Sequence, residues 1–74
     1  MERIIKMLNV WMEENRLLHV TVVVKKKGRR IFYGRILHFS LENQSVLFYN
    51  EDEASTESYL LKEIDNIEPA ELLT

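Results

Sequence analysis

At 74 residues the chain has room for one domain, and its 46% hydrophobic content supports a folded core rather than disorder. A net charge of −2 argues against a generic nucleic-acid binder, although it leaves room for a local basic patch. No cysteine is present, which excludes a disulfide framework, and no apolar run approaches the roughly 18 residues of a membrane span.

A domain this small buries only about 60% of its unfolded surface. With no disulfide and no His/Cys cluster for zinc, the expected support is a partner, most simply further copies of the chain. The first residues include Glu2, Arg3 and Lys6 and carry no small-residue cleavage site, so no signal peptide is expected. A cytoplasmic location is the expectation.

Residues 2–15 read as a helix. Ile4, Ile5, Leu8, Trp11 and Met12 recur at helical spacing and predict a core-facing stripe, with Met7 and Val10 at its margins. Asn15 is a suitable end because Asn tolerates the left-handed conformation. Residues 17–27 read as the first strand: Leu18, Val20, Val22 and Val24 alternate with Leu17, His19, Thr21 and Val23. His19 has no partner at ligand spacing and reads as a half-exposed strand residue.

Lys25, Lys26, Lys27, Gly28, Arg29 and Arg30 read as a hairpin turn, with Gly28 supplying a positive φ. Five cations at one tip either blunt a strand edge or meet an anion. The second strand is expected over about 30–39. Gly34 lies inside it, where a glycine costs stability unless the backbone must bend or pass close to something. It is the expected corner of a small barrel. Ile36 and Phe39 break strict alternation, which predicts a bulge between them.

Residues 45–50 read as the third strand, with Val46 and Phe48 on one face. Residues 51–58 carry four carboxylates and read as a solvated, mobile link, because they lack the spacing of a calcium loop. A fourth strand is expected over 59–62, a tight transition at Glu63, and a fifth strand over 64–68 stopped by Pro69. Residues 70–74 read as a tail with about half a helical turn.

No catalytic constellation is visible. There is no cysteine nucleophile, no motif that sets a serine beside His19 or His38, and no glycine-rich phosphate loop. The expectation is a non-enzyme with no metal and no cofactor.

A helix followed by five short strands, the second bent, resembles the Sm and Sm-like family, which includes the bacterial RNA chaperone Hfq. Phe32-x-Gly34-x-Ile36, then Phe39, then Val46-Leu47-Phe48 resemble the family's first motif. The resemblance spans nearly the whole chain and implies a strongly bent five-stranded small barrel, with an SH3-like barrel as the alternative. It implies a homo-oligomeric ring in which the fourth strand of one copy pairs with the fifth of the next. It also implies single-stranded RNA at the pore.

The departures are specific. Ser40 stands where the family has Asp, Glu42 falls on the base-stacking position, and Gln44, beside Asn43, falls on the base-reading Asn. Leu61-Lys62-Glu63 replaces the hydrophobic-Arg-Gly motif and keeps the cation as Lys62. Two functions therefore compete. In one, Asn43, Gln44 and Lys62 hold RNA at the pore, Lys25, Lys26, Lys27, Arg29 and Arg30 guide it at a second surface, and Tyr33, His38 and Tyr49 offer stacking. In the other, a protein-interaction barrel has lost the RNA site, and its basic turn and acidic link recruit a charged partner.

Overall fold

The computed structural model describes residues 2–73, so Thr74 of the expected tail lies outside the described residues. The order is α1 (Glu2–Glu13), β1 (Leu18–Val24), β2 (Gly28–Ser40), β3 (Ser45–Asn50), β4 (Ser55–Leu60), a 3-10 turn (Leu61–Glu63), β5 (Ile64–Pro69) and a second 3-10 turn (Ala70–Leu73). The strands form one antiparallel sheet in the order β4-β3-β2-β1-β5. The ladder is not closed: β4 and β5 are its two edges.

The helix ends two residues before the expected boundary, and by the expected means. Asn15 is left-handed at φ 52°. Its N–H donates to the Met12 carbonyl at 3.1 Å, and the Arg16 N–H donates to the Trp11 carbonyl at 3.0 Å. That pair of bonds is a Schellman cap, which satisfies carbonyls the helix leaves over. Leu8 and Trp11 are buried. Ile4 is not part of this core face: it is 43% exposed, as are Met7 at 44% and Val10 at 49%.

β2 curls the sheet. Its first half pairs with β1 and its second half with β3, and Gly34 alone stands in both registers, opposite Leu18 and opposite Asn50. A Cβ on Gly34 would lie 2.6 Å from the Tyr49 carbonyl oxygen, so the crossing of the two hairpins requires glycine. The register then slips between Ile36 and His38, as the spacing of Ile36 and Phe39 predicts. Ile36 is buried and Phe39 packs against the core. The curl brings β2 over β4: the Phe32 and Tyr59 rings stack at 6.0 Å, although a flat sheet would hold strands two apart about 9–10 Å from each other.

The core joins Leu8 and Trp11 of α1 to Leu18, Val20, Val22, Phe32, Ile36, Val46, Phe48 and Tyr59. Among the described residues no helix is long and apolar enough to cross a membrane.

The stretch read as a mobile acidic link needs correction. Only 51–54 is a turn, and β4 begins at Ser55 and ends at Leu60, not over 59–62. The two four-residue turns share one design. The Ser40 Oγ accepts the Asn43 N–H at 3.2 Å, and Gln44 is left-handed at φ 51°. Ten residues later the Asn50 Oδ1 accepts the Glu53 N–H at 3.0 Å, and Ala54 is left-handed at φ 52°. β3 and β4 each begin on the next residue. β4 was hard to see because its inward face is Ser55, Glu57 and Tyr59, which is mostly polar.

Candidate functional site

The β2–β3 turn and the first 3-10 turn meet at one end of the sheet. The Leu61 N–H donates to the Gln44 carbonyl at 2.8 Å and extends the β3–β4 ladder by a rung. Two tight turns are thereby locked side by side. A depression of about 220 Å³ lies between them, lined by Asn43, Gln44, Leu60 and Lys62. Asn43 and Gln44, adjacent on one turn, thus share one small concavity with Lys62 from the other. Glu63 does not line it; its Oε1 accepts the Leu60 N–H at 2.8 Å. Glu42 is exposed on the same turn.

Gln44 and Lys62 also border a second cavity of about 240 Å³. Its other walls are aliphatic: Ile4 and Leu8 of α1, Leu61, and Ile64 and Ile67 of β5. An amide, an ammonium and an apolar floor therefore stand side by side. That combination suits a planar group with polar edges and a nearby negative charge. No aromatic side chain lines either cavity, so Tyr33, His38 and Tyr49 stack nothing there. Tyr33 meets His19 edge-on at 5.2 Å on the outer face, His38 is exposed, and Tyr49 is half-buried.

The basic turn divides into two kinds of cation. Lys25, Lys26 and Lys27 are exposed and make no ion pair among the described residues. Gly28 takes φ 84° as expected, and Lys26 is also left-handed at φ 76°. Arg29 reaches the Asp65 carboxylate at 3.5 Å. Arg30 belongs to a different structure altogether. Its Nη1 donates to the Glu57 Oε1 at 2.8 Å and to the Tyr59 hydroxyl at 3.0 Å, and its Nη2 donates to the Glu53 Oε2 at 2.8 Å. The grouping of Arg30 with a free cationic tip is thereby corrected: its guanidinium straps β2 to β4, two strands away in the sheet.

The strap is a network. The Tyr59 hydroxyl donates to the Glu57 Oε1 at 2.5 Å, and the fully buried Asn50 Nδ2 donates to the Glu57 Oε2 at 3.1 Å. Burial pushes the Glu57 carboxyl up, but hydrogen bonds from Tyr59, Arg30 and Asn50 outweigh it and hold it below the ordinary value. Burial, then the bond to Glu57, pushes the Tyr59 phenol up to about 12. The bond to Glu57 raises the Arg30 guanidinium further against its own desolvation. Asn50 shares the inward face of Val46 and Phe48, and that period of two was the available signal for it.

The rest of the acidic turn is fastened as well. The Asp52 Oδ2 accepts the Tyr33 N–H at 2.9 Å, the Glu51 N–H donates to the Tyr33 carbonyl at 2.8 Å, and Arg35 Nε donates to Glu51 at 3.1 Å. Arg35 also donates to the Asn15 carbonyl at the end of α1. Among the described residues no three His, Cys, Asp or Glu side chains are grouped to hold a metal.

No family model matches the sequence, and no curated protein matches it. The fold is nevertheless shared. It is similar to a segment of the proteasome accessory factor B/C (PafBC) of Arthrobacter aurescens, with a TM-score of 0.77 at 15% identity. The likeness covers 93% of this chain and 11% of that one, so it is a likeness to a small part of PafBC.

Proposed function

We propose that the chain is an Sm-like module that assembles into a ring through β4 and β5 and binds single-stranded RNA without catalysis. The observation that carries this reading is the meeting of Asn43, Gln44 and Lys62 at one depression, beside an apolar floor. The amides offer donors and acceptors to a base edge, and Lys62 offers charge to phosphate. The sheet order supports the ring, since β4 and β5 are the strands with one edge left free within one chain. Lys25, Lys26 and Lys27 form the electrostatic guide; Arg29 and Arg30 contribute less because carboxylates already neutralise them.

The test is fluorescence anisotropy with labelled U-rich and A-rich oligonucleotides at low and moderate salt. Lys62→Ala and Gln44→Ala should each weaken binding about 5- to 10-fold. Replacing Lys25, Lys26 and Lys27 by alanine should flatten the salt dependence, which scales as about 0.7 per phosphate contacted on a single strand. A double change at Arg29 and Arg30 is a poor probe, because it also undoes the strap to Glu57.

A protein-interaction barrel is the second reading. It is favoured by the exposed Glu42 beside the depression and by the commitment of Arg29 and Arg30 to internal carboxylates. It predicts no measurable RNA binding at moderate salt and no effect of Lys62→Ala.

A further inference from the structure

The outer side of α1 carries a stripe that neither the core nor the depression uses. Arg3, Met7, Val10 and Glu14 recur at spacings of four, three and four, and so lie along one line of the helix. Glu14 belongs to it because its N–H still donates to the Val10 carbonyl at 2.9 Å. Met7 is 44% and Val10 49% exposed, Arg3 is exposed, and the Glu14 side chain is 45% exposed. Arg16 Nε reaches one Glu14 oxygen at 2.9 Å, and among the described residues the other makes no hydrogen bond. The stripe thus has an apolar centre with one cation and one carboxylate at its ends.

We infer that this stripe is a self-association surface, on which the α1 helix of a second copy of the chain packs antiparallel. A two-fold axis between Met7 and Val10 sets Met7 of each copy against Val10 of the other. The same axis sets each Arg3 against the other copy's Glu14. The pattern is self-complementary in that one register, as a two-fold interface requires.

A second observation points the same way. Glu2 apart, the charges of α1 run against its macrodipole. Arg3 and Lys6 lie toward the N-terminus, Glu13 and Glu14 at the C-terminal end, and no basic residue occupies the last turn. Within one helix that arrangement is unfavourable. In an antiparallel pair it becomes favourable, because each Arg3 lies over the partner's C-terminal end and each Glu14 over its N-terminal end. Another kind of protein would have to supply the mirrored charge order, whereas a second copy supplies it automatically. A pair of helices this short buries less than a standard interface, so the association is reversible and concentration-dependent. The inference rests on α1 alone and not on RNA binding or on pairing of β4 with β5.

The chain has no cysteine, so introduced cysteines report the register cleanly. Met7→Cys and Val10→Cys proteins would be mixed in equal amounts and treated with a short bis-maleimide, and the products resolved by mass. The expected result is a mixed adduct, joining one Met7→Cys chain to one Val10→Cys chain, in at least about 5-fold excess over either like-with-like adduct. Arg3→Glu or Glu14→Arg added to both proteins should cut the yield several-fold, and the two changes together should restore it. Excess like-with-like adducts would mean parallel packing, and an absence of adducts at high concentration would mean no packing; either overturns the inference. Both positions are on the surface, so folding is not at stake. Failure of RNA binding would leave the cross-linking result standing.

Discussion

A methyl group on Gly34 would be driven into the Tyr49 backbone oxygen, and a backbone atom cannot rotate aside as a side chain can. Gly34→Ala should therefore cost about 1–3 kcal/mol, toward the upper end, read from urea unfolding. That position was legible in the sequence because a glycine in a strand needs a reason. Glu57 was not, because a carboxylate between Thr56 and Ser58 resembles solvent-facing sequence, and only the curl of β2 brings Arg30 to it. The same residue predicts how stability responds to acid. The folded Glu57 carboxyl is held below its ordinary value, so its contribution is complete above the ordinary carboxylate range of about 4.3. That contribution is lost as pH falls through the folded value. Tyr59 does the reverse: its phenol is raised to about 12, so its contribution is complete below about 10 and fades between there and about 12. Thermal midpoints taken across pH should fall at both ends. Glu57→Gln should blunt the acidic fall, and Tyr59→Phe the alkaline one.

Among the elements, α1 shows a stripe read correctly except at one end, where Ile4 is exposed. Its apolar residues cover more of the circumference than the sheet can use. Leu8 and Trp11 take the core, and Met7 and Val10 are left outside. Periodicity finds the apolar arc, but only packing decides which part of it faces inward. Leu8→Ala should cost about 2–5 kcal/mol, because the buried side chain leaves a cavity against rigid strands. Met7→Gln should change the unfolding midpoint little. Comparing the two by chemical denaturation would fix the orientation of the helix. β4 is the contrasting case. Its turn signal was present, since Asn50 with Ala54 repeats the pattern of Ser40 with Gln44, but on its inward face only Tyr59 meets the core rings, while Glu57 pairs with a guanidinium. Hydrophobic alternation cannot report a strand that offers the core one ring and otherwise polar groups.

For the molecule as a whole, the question is what lies against the sheet's free edges. The Leu60 N–H points away from β3, to Glu63, and alternation then turns the Thr56 and Ser58 backbone groups the same way. Ser58→Pro removes a donor on the outer edge and none from the ladder with β3. Light scattering should show the parent protein as a multiple of its 8.9 kDa chain mass and Ser58→Pro as a smaller species with its fold intact by circular dichroism. A parent protein that remains a single chain would remove the ring from consideration. The sheet order also has a consequence for how the chain is made. β1 to β4 pair each with the next, so each pairing completes as soon as its second strand exists. The partner on the other side of β1 is β5, and Leu18 must wait for Pro69. Until the last strand leaves the ribosome, one flank of the most apolar strand stands open to whatever passes. A chain stopped before Ile64 should therefore aggregate rather than fold with one strand fewer. By that account the closing segment acts as the protein's own chaperone.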